Sequence, residues 1–266
     1  MIEMSDITYG YNEKRIFKDF KYSLKKGEFL MVFGKNGSGK STLAKLIMGI
    51  TIPDKGKILI EGLDTSTDDI WEIRRSLGVI FQNPEDQFVG TTVLEEMTFI
   101  LENYDEIDIE GKIDKALRKV NLIDKKNEKI ENLSGGQKQK LALASALLLK
   151  PTLLILDEAS SMLDPKSRKE LLILLKKLNE SKVTIIYITH YLEEITYASR
   201  CLLLDEGKII KDDIPSKFLE EDLLRYSLMV PFHLKLLMKL NKNNKLNKDF
   251  RLENSQSVVD EICQYL

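Results

Sequence analysis

Residues 28–50 read "EFLMVFGKNGSGKSTLAKLIMGI". "EFLMVF" (28–33) is a dense apolar run, the pattern of a strand buried on both faces. "KSTLAKLIMGI" places Leu43, Leu46 and Ile47 at helical spacing. Between them, "GKNGSGKST" (34–42) matches G-x-x-x-x-G-K-[ST] in the strand–loop–helix setting that this motif requires. Gly34, Gly37 and Gly39 let the backbone turn tightly and aim its N–H groups at phosphate oxygens. Lys35, Asn36 and Ser38 complete the loop. The positive end of the helix that starts near Lys40 points to the same place. Lys40 supplies a point charge for β- and γ-phosphates, Ser41 a hydroxyl ligand for Mg²⁺, and Thr42 a further phosphate contact. This stretch predicts a phosphate-binding α/β core.

Outward from it, the chain alternates. "KDFKYSLKKGE" sets Phe20, Tyr22 and Leu24 on one strand face, and "KGKILIEG" is a strand between glycines. After Pro84 the spacing is helical, in "TVLEEMTFILEN", "IDIEGKIDKALRKVNL" and "GGQKQKLALASALLLK". Continuous apolar strands return with "TLLILD" (152–157), "VTIIYIT" (183–189) and "CLLLD" (201–205), separated by the helix-like "KSRKELLILLKKLNE" and "YLEEITYAS". The alternation predicts a parallel sheet with helices on both faces and a helical insertion at about 84–150. Residues 1–212 form one domain in this reading. Residues 213–266 form a small C-terminal helical region, a dimerisation or accessory segment. Its Lys/Asn-rich "NKNNKLNKDF" (241–250) reads as a solvated loop.

Bulk properties narrow the class. Forty basic residues stand against 42 acidic ones in 266, so no basic field points to nucleic acid as a partner. Two cysteines, Cys201 and Cys263, fit a reducing compartment. The N-terminus has no apolar signal core, and no run approaches the ~20 apolar residues of a bilayer span. The expectation is a cytosolic chain that meets a membrane only through another protein.

"TLLILDEASSMLD" (152–164) carries the second half of the chemistry. Asp157 and Glu158 end an apolar strand, the edge at which open α/β sheets bind ligands. Asp157 is placed to hold Mg²⁺, and Glu158 to polarise a water attacking a γ-phosphate. "LSGGQ" (133–137) then opens a helix and makes a second anion-binding N-terminus. One triphosphate hardly needs two such sites in one chain. The economical reading is that Ser134, Gly135, Gly136 and Gln137 meet a nucleotide held by another subunit.

With these motifs the chain resembles the ATP-binding cassette (ABC) ATPases, P-loop nucleotidases with a RecA-like parallel core, an N-terminal antiparallel β region and an inserted helical subdomain. The resemblance covers residues 3 to about 212, with five motifs in order. It implies ATP and Mg²⁺, adenine stacked on Tyr11 (with Tyr9 as a rival), and Gln82 at the metal and the attacking water. It implies His190 at the γ-phosphate and Asp164 in a loop that communicates between two sites. Catalysis would fall to Glu158, His190 and Gln82, and metal binding to Ser41, Gln82 and Asp157. His233 lacks such a context and reads as structural. Three positions depart from the family pattern: Lys140 for a common Arg, Tyr191 for a common Asp, and Ser160 for a common Thr.

Within the family, "FQNPEDQFVG" (81–90), "DEASSMLDP" and "MVPFHLKL" resemble the energy-coupling factor (ECF) importers of vitamins and metal ions. That implies a second ATPase subunit (a sister or a copy of itself), a transmembrane coupling protein and a small substrate-binding membrane protein. The cassette would sit peripherally on the cytoplasmic face of the membrane. The alternatives are the ATPase of another ABC importer and a soluble ABC ATPase without a transport role.

Overall fold

The computed structural model describes residues 1–219 except 13, 68 and 69, residues 230–242, and the single positions 223, 226, 228, 259, 260 and 263. In chain order the strands and helices are β1 (Ile2–Tyr11), β2 (Lys14–Leu24), β3 (Phe29–Phe33), α1 (Lys40–Ile47), β4 (Lys55–Ile60), β5 (Leu63–Asp64), α2 (Ile70–Arg75), β6 (Leu77–Ile80), α3 (Val93–Asn103), α4 (Ile109–Lys119), α5 (Gly135–Ala146), β7 (Leu153–Asp157), α6 (Pro165–Glu180), β8 (Thr184–Ile188), β9 (Arg200–Asp205), β10 (Lys208–Asp213), α7 (Pro215–Phe218) and α8 (Phe232–Lys242). Most of the Lys/Asn-rich stretch, most of "SVVDEICQYL" and the His233 side chain lie outside the described residues.

Two sheets carry the fold. One is antiparallel, in the order β2-β1-β4-β5; the other has six strands in the order β10-β9-β3-β8-β7-β6. In the second sheet β6, β7, β8, β3 and β9 run parallel, and β10 returns antiparallel on the edge. The interior strands β3 and β8 are buried at every position, as continuous apolar runs require. Residues of β3, β7 and β8 divide between two cores. Leu30, Val32, Ile155 and Ile186 pack with α1 and the antiparallel sheet. Phe29, Met31, Leu154 and Tyr187 pack on the other face with the helices between β6 and β7. Expectation and structure agree on the α/β class and the parallel core.

Four features depart from the sequence reading. "YLEEITYAS" forms only a 3-10 stretch, Leu192–Tyr197. The short helix α2 and the edge strand β10 had no clear periodicity to announce them. The segment after Pro84 begins with a 3-10 turn, Pro84–Gln87, before any α-helix. Asn83 is extended there (φ −101°, ψ 109°), and its side chain accepts a hydrogen bond from Glu85 N at 3.3 Å. Proline disfavours the helical conformation in the residue before it.

Candidate nucleotide site

Four neighbouring parallel strands deliver the candidate residues at one sheet edge. The carboxyl end of β3 leads into the 34–39 loop, β8 leads to His190, β7 ends in Asp157 and Glu158, and β6 leads to Gln82. β6 stops at Ile80 because Phe81 N donates instead to Gln87 Oε1 at 3.2 Å. Gln82 therefore stands two residues beyond the strand, exposed. An open crevice of about 470 Å³ is lined by Tyr11, Asn36, Lys40, Ser41, Gln82 and Glu158, among others. Gly37, Gly39 and Thr42 lie along the same wall.

The loop is built around two glycines. At Gly34 (φ +152°) a Cβ would lie 2.3 Å from the Leu204 carbonyl and 2.5 Å from Ser38 Oγ. Gly39 (φ +107°) caps α1 and lets Lys40 turn inward. Lys40 is buried, and its Nζ donates to the Gly34 and Lys35 carbonyls at 2.8 and 3.0 Å. Burial pushes its pKa down, opposed by Glu158 and Asp157. Ser38 Oγ and Asp157 Oδ1 are buried with no hydrogen-bond partner. Burial raises the Asp157 pKa, against the neighbouring Ser41 hydroxyl. Lys40 and Ser41 line the crevice, whereas Ser38 and Asp157 are not among its lining residues; the ammonium, the hydroxyl and the Asp157 carboxylate bonded to that hydroxyl suit a phosphate chain with a hard cation.

The sequence could not show what holds the loop from outside. The β9–β10 turn abuts it: Gly207 N donates to Ser38 O at 3.0 Å. Gly207 is left-handed (φ +72°), and a Cβ there would fall 1.7 Å from Ile16 O. Glu158 is also left-handed (φ +49°) without being glycine. Its N–H donates to Ile188 O at 3.0 Å and its carbonyl accepts from Ser161 N at 3.0 Å. Backbone strain of this kind costs about 1–3 kcal/mol and persists where surrounding structure enforces it.

Tyr11 closes β1 at 44% exposed, edge-on to Tyr9 with ring centroids 5.2 Å apart. Tyr9 is buried at 8%, so of the two tyrosines Tyr11 is the one that faces the crevice. His190 is half-buried beyond β8 and is not among the residues lining the crevice.

The "LSGGQ" residues also stand apart from the crevice. Ser134 caps α5, accepting from Gln137 N at 3.3 Å, while Ser134 N donates to Gln137 Oε1 at 2.8 Å. This reciprocal pair satisfies the helix end within the chain. A Cβ on Gly135 would meet nothing within 4 Å, so this helix end is open to an approaching group. Asp164 caps α6 by accepting from Lys166 N and Ser167 N at 3.0 and 3.1 Å, and the bonds from Ser167 hold its carboxyl below the usual range.

Residues 17–161 match the family described as ABC transporter. The chain belongs to the ABC transporter family. It is 43% identical to the energy-coupling factor transporter ATP-binding protein EcfA1 of Fusobacterium nucleatum, over 92% of both chains. It is 40% identical to EcfA of Methanosarcina acetivorans, over 99% of this chain and 98% of that one. Among solved structures it is similar to cbiO1 of Clostridium perfringens, part of the ABC transporter complex cbiONQ (TM-score 0.76, 29% identity, 91% and 94% covered). A dimeric ATP-binding cassette bound to ADP and Pi in a post-hydrolysis state is also similar (TM-score 0.73, 28% identity, 81% and 99% covered). Nucleotide binding and ATP hydrolysis coupled to transport follow from ABC membership. Among the described residues, no helix is long and apolar enough to cross a membrane.

Proposed function

We propose that this chain is the ATP-hydrolysing subunit that energises an ECF-type importer of vitamins or metal ions, held peripherally on the cytoplasmic face of the membrane. One observation carries the reading. The loop 34–42, Asp157–Glu158 and Gln82 converge at one sheet edge, while the capped, open end of α5 lies away from it. A second ATPase subunit, a sister or a copy, would bring its own Ser134–Gln137 segment over the nucleotide. The working unit in this reading is a head-to-tail pair with ATP at each junction.

The chain's residues divide the work. The loop N–H groups and Lys40 bind the phosphates, and Tyr11 offers its exposed ring to the base. Ser41, Asp157 and, from the next strand, Gln82 would hold Mg²⁺, which when bound neutralises charge on the β- and γ-phosphate oxygens. Glu158 orients the attacking water and takes its proton. His190 contacts the γ-phosphate, and closure of the pair excludes solvent and fixes these groups. Asp164 lies in the loop that reports one junction to the other.

A groove supports the membrane partner. It is lined by Arg74, Phe81, Gln87, Val89, Phe99 and Tyr104, and the large side chains Val89 and Phe99 at its wall are 68% and 45% exposed. Trp71 stands nearby at 70% exposed. Exposed apolar side chains grouped at a groove mark an interaction surface. It lies beside the 3-10 turn that follows Gln82, so a transmembrane coupling protein seated there would sense the nucleotide site. Selection of the cargo would belong to a small substrate-binding membrane protein. Co-expression with the neighbouring membrane proteins and purification from detergent tests this. The expected result is a complex that contains an ECF-type coupling subunit and a second ATPase. Recovery of an active ATPase with neither would overturn the reading.

A further inference from the structure

The His190 imidazole makes no side-chain hydrogen bond to any described residue. Its ring lies against the Tyr191 ring, at 4.2 Å between centroids and 33° between planes. The other face of that tyrosine is covered: the Arg168 guanidinium carbon lies 3.6 Å from the ring centroid. We propose that Tyr191, clamped between Arg168 and His190, sets the orientation of the His190 ring, and that Arg168 makes this setting depend on the Ser160–Asp164 loop.

The clamp is anchored on three elements. Arg168, on α6, has a side chain only 13% exposed. It donates from NH2 to the Leu163 carbonyl at 3.3 Å, inside the Ser160–Asp164 loop. Its NH1 lies 3.5 Å from Glu193 Oε1 and its Nε 4.0 Å from Glu194 Oε1. A guanidinium held at a tyrosine face in a partly desolvated setting is attracted by the ring quadrupole and cannot slide freely. Tyr191 is fixed from its backbone as well, since its N–H donates to Thr189 Oγ1 at 3.1 Å.

Glu194 ties the same parts together from beneath. Its buried carboxylate accepts from Thr189 Oγ1 at 2.5 Å, Ser160 Oγ at 3.0 Å and Tyr187 OH at 3.4 Å. One carboxylate thus reaches the residue before His190 and the residue that opens the 160–164 loop. A shift of that loop moves the Leu163 carbonyl, hence Arg168, hence the face on which Tyr191 rests. Misplacement of a reacting group by about 1 Å can cost on the order of 100-fold in rate, so an imidazole with no side-chain hydrogen bond to a described residue depends on such a clamp. Tyr191 and Arg168 are positioning residues: neither lines the crevice. The inference rests on the reading of His190 as the γ-phosphate contact.

The test uses the full chain in the complex with which it purifies. Tyr191→Leu is expected to lower kcat by at least about tenfold with KM for ATP within about twofold, the signature of a contact used only in the transition state. Tyr191→Phe, which keeps the ring, is expected to stay within about twofold of the parent. Arg168→Met should behave as Tyr191→Leu, and it decides the matter if Tyr191→Leu does not fold. The chain has two histidines, so with ¹³Cε1-histidine incorporated into this chain alone a ¹H–¹³C spectrum shows two ring signals, assigned with His190→Ala. The tyrosine ring current should displace the His190 signal in the parent and in Tyr191→Phe, and the displacement should vanish in Tyr191→Leu. Parent-like kcat in Tyr191→Leu, equal losses in Leu and Phe, or an unmoved His190 signal would each overturn the proposal. His190→Ala separates the two levels: if it turns over like the parent, the γ-phosphate reading of His190 fails, while the ring signals still report whether Tyr191 orients it.

Discussion

The Glu85 carboxylate is paired with the Lys138 ammonium, joining the 3-10 turn after Gln82 to the first turn of α5. Lys138 is 14% exposed in its side chain and Glu85 59%. The stretch that ends near the nucleotide crevice is thereby linked to the helix that would cover the facing subunit's nucleotide. A half-exposed ion pair is worth roughly 0.2–1 kcal/mol, enough to bias two arrangements without locking either. Glu85→Lys should leave ATP affinity unchanged and reduce transport-coupled turnover. Lys138→Glu in the same chain should recover most of the loss. A double-charge swap as defective as the single variants would mean that the pair carries no coupling.

Glu194 gives a pH dependence of stability. Burial is the largest cause that pushes its pKa up, to about 7, against the hydrogen bonds from Thr189 and Ser160 and the charge of Arg168. An acid raised in the folded state binds more protons folded than unfolded, so its contribution is largest below the unfolded value and is lost as pH rises toward 7. At about 1.4 kcal/mol per pKa unit the loss is on the order of 3 kcal/mol. Glu194→Gln should gain on the parent in thermal melting between pH 5 and pH 8. A melting difference that does not vary with pH would contradict this.

Gly207 and Gly62 form a matched comparison, since both have positive φ, +72° and +90°. A Cβ at Gly62 meets nothing within 4 Å, whereas at Gly207 it falls 1.7 Å from Ile16 O. Gly62→Ala should cost only the conformational term, about 1–2 kcal/mol. Gly207→Ala must also move the turn that holds Ser38 O, so its cost should exceed that by about 1–3 kcal/mol. It should also weaken ATP binding. Equal melting shifts for the two variants would refute the packing argument.

The sequence made the core legible because its signals are local. The apolar run 29–33, the glycine spacing of 34–39 and the acidic end of "TLLILD" each report their own element. Residues brought together by topology leave no such trace. The Gly207 turn lies 173 positions from Gly34 in the chain, yet Leu204 and Gly207 help to shape the phosphate loop. Tyr191 stood out only as a departure from the family pattern. Its pairing with Arg168 needed the packing of α6 against the segment after β8. Glu158 read as a strand-end acid, with nothing to signal its left-handed backbone.

Hydrolysis in this crevice depends on Glu158. In the intact complex, ATP affinity and ATP turnover of Glu158→Gln are to be measured side by side with the parent. The amide keeps the size and loses the base, so affinity should be retained while turnover falls by at least about 100-fold. Turnover equal to that of the parent would contradict the placement of Glu158 at the attacking water, and with it the assignment of this crevice as the site of hydrolysis.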